Sequence, residues 1–195
     1  MIDEFAKEYL HNDLREIREA MIGKLDGLSE YDVRRPLTTT GTNLLGLIKH
    51  LSTWEARYLG EVFDRPFPET RSRWDDPAAR MADFWVTADE TRTEIIDRFR
   101  LACAHADATI DALAIDAPGH VAWWPRPDVK LFNVMVHRIA ETNRHVGHAD
   151  ILREQLDGHI GDDRGDAHLQ AGGQAFWDRH CQQVENAARS AAASD

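Results

Sequence analysis

The sequence is poor in basic residues: 23 lysines and arginines stand against 34 aspartates and glutamates, so the net charge is −11 with neutral histidines. This balance excludes a general surface for nucleic acids or anionic membranes, because both attract clusters of positive charge. Cysteine is also scarce, since only Cys103 and Cys181 occur and they form neither a CxxC pair nor a disulfide framework. Such cysteine usage is typical of a reducing compartment, and we expect a cytoplasmic protein.

Long apolar runs are missing as well. No stretch approaches the roughly 18 apolar residues that a membrane-spanning helix needs, and charged residues interrupt the first apolar segment, unlike in a secretory signal. Apolar residues nevertheless make up 43% of the 195 residues, enough for a core and too many for a disordered chain. A chain of this length buries roughly 70% of its unfolded surface, so it needs no disulfide or metal merely to fold.

The alternating pattern of β-strands is absent too, and helical spacing takes its place. Apolar residues recur at steps of three and four in four long segments, each of which predicts an amphipathic helix. The third of these helices is predicted from about residue 83 to 113, and the fourth from about 128 to 156. The pattern predicts an all-α four-helix bundle over about 4–157 with an additional C-terminal helix at about 174–192, together a single domain over 1–195.

The fourth helix carries polar residues on a face that begins and ends apolar, at Val134 and Leu152, and that we therefore expect to point into the bundle. These residues are Glu141, His145 and His148, with His137 beside them. At about 100° per residue the first three lie within roughly 60° of one another. Burying such groups costs several kcal/mol each unless something pairs with them, and a metal ion would pair with all of them.

A further metal ligand is available on the second helix, where His50 lies at the edge of the apolar stripe. Bundle cores build metal sites from inward side chains on facing helices, and histidine and glutamate are good ligands for zinc and similar divalent ions. However, a glutamate and a histidine four residues apart are most often a solvated surface pair, and a single histidine is most often an ordinary core residue. The spacing alone leaves the metal site and the surface pair both open.

Two segments together resemble a known family. The segments are Gly41-Thr-Asn-Leu-Leu-Gly-Leu-Ile-Lys-His50-Leu and Glu141-Thr-Asn-Arg-His145-Val-Gly-His148-Ala-Asp. They resemble the DinB/YfiT-like superfamily, and most of all its actinobacterial branch with mycothiol-dependent maleylpyruvate isomerase and the mycothiol S-transferases. The resemblance implies a four-helix bundle in which His50, Glu141 and His145 hold a divalent metal, with zinc the first choice and nickel, iron or manganese the alternatives.

The resemblance also implies an activity. A metal-dependent thiol S-transferase would activate mycothiol or a similar small thiol for attack on a small electrophile, with His148 as a catalytic residue. The sequence has no counterpart of the isomerase's extra C-terminal domain, which favours thiol transfer over isomerisation. A metal-dependent hydrolase with Glu141 as its base, and a metal-binding bundle without turnover, stay open as alternatives.

Three tryptophans are candidates for substrate binding. Trp54 follows His50 by one helical turn, and Trp123 and Trp124 occupy a proline-bracketed loop before the fourth helix. Ordinary packing is the alternative for each of them. The exposed loop tryptophans, the C-terminal helix and the family resemblance together predict a homodimer.

Overall fold

The computed structural model describes residues 4–69, 75–161 and 173–193. The longer elements are helices α1 (Glu4–Gly23), α2 (Glu30–Arg34), α3 (Leu44–Tyr58), α4 (Arg92–Ala112), α5 (Leu131–Asp157) and α6 (Gly173–Ala192), with strands β1 (Pro118–His120) and β2 (Asp128–Lys130). Short 3-10 turns lie at Glu61–Phe63, Pro77–Ala79 and Ala82–Phe84. The prediction of an all-α bundle is confirmed.

The chain divides into two compact units, Met1–His159 and Ile160–Asp195. In the first unit α3 packs along α4, and α1 packs along α5. In the second unit α6 is amphipathic in sequence, and its Phe176 and Val184 are exposed. The prediction that both units belong to one domain stays a prediction. None of the described helices is long and apolar enough to cross a membrane.

The start of α4 differs from the prediction. The predicted third helix began near residue 83, whereas α4 begins at Arg92 behind a capping box. The Thr91 side chain accepts a hydrogen bond from the Glu94 amide, and the Glu94 carboxylate accepts one from the Thr91 amide. These reciprocal bonds satisfy amide groups that a helix leaves unpaired at its first turn. The apolar residues before Thr91 therefore belong to an irregular segment that packs on α3.

The start of α5 also differs, because Asp128–Lys130 is a strand and not the first turn of the helix. This strand pairs antiparallel with β1, in a register that places Gly119 opposite Val129. The hairpin is the only sheet in the part of the chain that the structure describes. Trp123 and Trp124 lie in the loop between the two strands, and α5 follows directly after β2.

A buried ion network connects four helices across the core. Glu55 on α3 is fully buried and accepts hydrogen bonds from Arg18 on α1 and from Arg138 on α5, whose Nε and Nη2 lie 3.0 and 2.9 Å from its Oε2. Arg18 donates a further bond of 2.6 Å to Asp107 on α4. Burial by itself would raise the pKa of Glu55, but the two guanidinium groups hold this pKa below its ordinary value. The carboxylate is therefore charged and paired inside the bundle.

Candidate functional site

Helices α3 and α5 bring the predicted ligand histidines together. The rings of His50 and His145 meet edge to face with their centroids 4.9 Å apart. On α5, Nε2 of His145 lies 3.8 Å from Oε2 of Glu141, one turn earlier. The spacing of four residues explains this second contact, since such residues stack on one helix face. Of the three residues that the family resemblance selects, His145 therefore contacts both of the others, His50 and Glu141.

His145 is neutral in this environment. Burial, with a smaller effect from neighbouring His50 and His148, lowers the pKa of His145 to about 4. Its Nδ1 is buried and has no hydrogen-bond partner among the described residues. A neutral imidazole keeps a lone pair at pH 7, which is the form that binds a metal ion.

Glu141 occupies the border of the site. Its side chain is 26% exposed, and its Oε1 lies 3.2 Å from a guanidinium nitrogen of Arg144, which is itself mostly exposed. Glu141 thus divides its two oxygens between Arg144 and His145. Within the described residues, no group of three or more histidine, cysteine, aspartate or glutamate side chains is arranged to hold a metal ion.

The inner face of α5 is turned slightly from its predicted position. Buried residues along the helix are Leu131, Val134, Met135, Arg138, Thr142, His145, Ala149, Leu152 and Arg153. His148 is exposed, so the prediction that it faces the bundle interior is wrong. The buried residues Thr142, His145 and Ala149 follow one another at steps of three and four positions and define the face of α5 that points inward. His148 lies outside this face. His148 still contacts His145 at 5.4 Å between ring centroids, and its catalytic role stays a prediction.

Asp83 is a member of the site that the sequence did not reveal. One carboxylate oxygen, Oδ2, lies 2.8 Å from Nδ1 of His50 and accepts a 3.1 Å hydrogen bond from Nε1 of Trp54. Burial opposes the ionisation of Asp83, but the bond and charge of His50 and the bond from Trp54 lower its pKa below the ordinary value. Nothing in the local sequence pattern marks Asp83 as a partner of His50. The prediction places this residue at the start of the third helix, whereas α4 begins only at Arg92.

The segment around Asp83 is fixed to α3 by several contacts. Phe84 stacks on the His50 ring with centroids 3.8 Å apart. The Asn43 side chain, which caps α3, donates a 3.3 Å bond to the carbonyl of Phe84, and Lys49 donates one of 3.0 Å to the carbonyl of Trp85. These bonds place Asp83 beside His50.

Gly46 makes this close approach possible. A Cβ atom at Gly46 would lie 1.9 Å from the carbonyl oxygen of Phe84, whereas Gly147 on α5 has open space around it. Alanine normally stabilises a helix interior by about 1 kcal/mol relative to glycine. We expect Gly46→Ala to lower the free energy of unfolding by about 1–3 kcal/mol, since the backbone of residues 82–84 must move away. Urea denaturation measures this loss.

The matched control for this prediction is Gly147→Ala, which should raise the free energy of unfolding by about 0.5–1 kcal/mol. Both substitutions add the same methyl group to a helical residue, in the first turn of α3 for Gly46 and in the interior of α5 for Gly147. Equal stabilisation by the two would show that Phe84 does not pack against Gly46 in solution.

The three predicted tryptophans form a continuous aromatic row with Tyr58. The ring of Trp54 lies 5.7 Å from that of Trp123 and 6.2 Å from that of His50, measured between centroids. Trp123 and Trp124 each donate a 3.0 Å hydrogen bond from Nε1 to the hydroxyl oxygen of Tyr58. The row starts beside His50 and extends toward the hairpin, so all three tryptophans lie on one side of the site. Whether they bind substrate stays a prediction.

Taken together, the bundle and the meeting of a histidine on α3 with a Glu-x-x-x-His pair on α5 define a DinB-like helical protein. The model of the mycothiol S-transferase family matches residues 9–158, and the chain belongs to this family. None of the curated proteins matches the chain.

One solved structure with a similar fold is the "conserved protein of locus from Enterococcus faecalis". It has a TM-score of 0.59 and 15% sequence identity, and the match covers 79% of this chain and 98% of that one. At this identity the likeness concerns the fold alone.

The residues at the site suit a divalent cation in their chemistry. His145 is neutral and has a buried nitrogen without a partner, His50 has one nitrogen engaged by Asp83, and Glu141 contributes an ionisable oxygen donor. Two imidazoles and a carboxylate are a common catalytic zinc set. Of the two carboxylate oxygens of Glu141, Oε2 is the one that lies toward His145, while Oε1 lies toward Arg144.

Proposed function

We propose that this protein transfers mycothiol, or a similar small thiol, to small electrophiles at a divalent metal held by His50, Glu141 and His145. The observation that carries the proposal is the proximity of His50 to the Glu141–His145 pair in a member of the mycothiol S-transferase family. Zinc is the first choice of metal, and nickel, iron and manganese accept the same ligand types.

The chemistry requires a thiolate at neutral pH. A divalent ion held by His50, Glu141 and His145 would supply it by lowering the pKa of the thiol. The sulfur then attacks the electrophilic carbon, a carbon–sulfur bond forms, and the leaving group departs with its electron pair. His148 is exposed beside His145 and could accept the thiol proton.

The protein's own residues have defined tasks in this proposal. His145 binds without first losing a proton, because its pKa is low. Trp54 and Trp123 would contact the substrate along the aromatic row, and Trp124 would hold the loop in place through Tyr58. The proposal further includes a cytoplasmic location and a homodimer.

An assay with mycothiol and an alkyl halide tests the proposal. We expect an S-conjugate whose formation stops when a strong chelator removes the metal and resumes when Zn²⁺ is returned. Consumption of a substrate at the same rate without any thiol would instead support the hydrolase. A protein that binds one equivalent of metal but forms no product with a panel of electrophiles would support the non-catalytic bundle.

A further inference from the structure

We propose that Asp83 is a positioning residue that holds His50 in a single tautomer, with the proton on Nδ1 and the lone pair of Nε2 available to a ligand. The inference rests on the proposed function only where it concerns metal affinity. Its statement about the tautomer stands on the geometry of the three side chains.

The bonding pattern determines where the proton lies. An aspartate carboxylate at neutral pH is ionised and only accepts hydrogen bonds, and an indole nitrogen only donates. Since Oδ2 of Asp83 lies 2.8 Å from Nδ1 of His50, that nitrogen must carry the hydrogen. In the neutral form of His50 the imidazole has a single N–H, so Nε2 is then left with a free lone pair.

The same oxygen also orients Trp54. Nε1 of Trp54 donates to Oδ2 at 3.1 Å, so the carboxylate fixes the rings of two residues that lie one turn apart on α3. One of these residues is the predicted ligand on α3, and the other begins the aromatic row. Asp83 therefore connects the position of the predicted metal ligand with that of the predicted substrate wall.

The carboxylate itself has little freedom to move. Its neighbour Phe84 stacks on His50 at 3.8 Å, and the Phe84 carbonyl is held by Asn43 and fits against Gly46. Carboxylates that accept from the second nitrogen of a metal-binding histidine fix its ring and tautomer, and losing them typically lowers metal affinity or activity by about 10- to 100-fold. The geometry of Asp83 fits this role.

Two substitutions at Asp83 separate its acceptor function from its charge. Asp83→Ala removes the acceptor for both rings, whereas Asp83→Asn can place its carbonyl oxygen where Oδ2 lies and accept from both. Asp89→Ala is the matched control, since Asp89 is an exposed aspartate on the same irregular segment without a bond to His50.

The first measurement uses the full-length protein without metal. Nitrogen-15 spectra of the histidine rings, with the His50 signal assigned through a His50→Gln variant, should show His50 protonated on Nδ1 in the wild type and in Asp83→Asn. Asp83→Ala should give a mixture of tautomers and a shifted Trp54 indole N–H signal. A wild-type His50 protonated on Nε2, or an unchanged tautomer in Asp83→Ala, would overturn the inference.

The second measurement is the Zn²⁺ dissociation constant by competition with a chelating dye. Asp83→Ala should weaken binding by about 10- to 100-fold, Asp83→Asn should weaken it less, and Asp89→Ala should leave it unchanged. Equal affinities for wild type and Asp83→Ala would refute the role of Asp83 toward the metal. Failure of the wild type to bind any divalent ion would refute the proposed function, while the nitrogen-15 spectra still decide whether Asp83 positions His50.

Discussion

Replacing Glu55 with alanine is expected to lower the free energy of unfolding by about 3–5 kcal/mol. The substitution removes the carboxylate between Arg18 and Arg138, whose side chains are only 3% and 2% exposed. Arg18 keeps its bond to Asp107, whereas Arg138 loses the carboxylate to which both its Nε and Nη2 donate. A buried guanidinium without a counter-charge is strongly unfavourable, because water cannot replace the lost partner. Chemical denaturation monitored by circular dichroism measures the loss.

The chain provides a closely matched control for this prediction. Glu30 also forms ion pairs with two arginines, Arg34 at 3.0 Å and Arg92 at 2.6 Å, but its side chain is 60% exposed. Glu30→Ala should lower the free energy of unfolding by less than about 1 kcal/mol, since exposed ion pairs contribute little. Similar losses for the two variants would mean that burial does not control the strength of the Glu55 network.

Replacing His145 with alanine is expected to abolish metal binding and thiol transfer while the bundle stays folded. Losing a residue that only hydrogen-bonds to a metal ligand already lowers metal affinity by about 10- to 100-fold. Losing a ligand itself should therefore weaken Zn²⁺ binding by more than about 100-fold. The chain buries a core without a metal, and His145 stands at its edge beside solvent-accessible His148. Metal analysis of the purified variant and its rate of mycothiol conjugation measure the two effects.

Two other histidine variants make this result specific. His120→Ala alters an exposed hairpin histidine that pairs with Asp128, so metal content and rate should both match the wild type. His148→Ala should keep the metal but conjugate more slowly if His148 accepts the thiol proton. An His145→Ala protein that retains one equivalent of metal and full activity would show that the site lies elsewhere.

Much of the bundle could be predicted because each long helix has a regular apolar stripe. Leu14, Leu51 and Val134 lie on such stripes, and each is at most 1% exposed. The position of His145 followed for the same reason, since it continues the stripe of α5. The inward prediction for His148 was wrong because the three polar residues spread over roughly 60° of the helix, and only part of that sector reaches the interior.

The sequence contains a signal of the buried ion network. Arg18, Glu55 and Arg138 each follow one of those buried aliphatic residues by four positions, so each continues an apolar stripe with a charge. Charged residues of both signs at core positions indicate a buried pair.

Asp83 could not have been found in this way. It lies 33 residues from His50 in a segment without periodic structure, and its position depends on Asn43 and Gly46. The spacing of residues along the chain does not indicate tertiary contacts of this kind.

The pairing of Glu55 with Arg138 has a consequence for exchanging parts between relatives. His50 precedes Glu55 by five residues on α3, whereas Arg138 precedes His145 by seven on α5. Two contacts, of His50 with His145 and of Glu55 with Arg138, therefore fix the alignment of α3 and α5 along their length. At 1.5 Å per residue, the two contact points lie about 7.5 Å apart on α3 and about 10.5 Å apart on α5. A graft that brings the Glu141–His145 pair into another bundle must therefore carry α3 with α5 as one cassette.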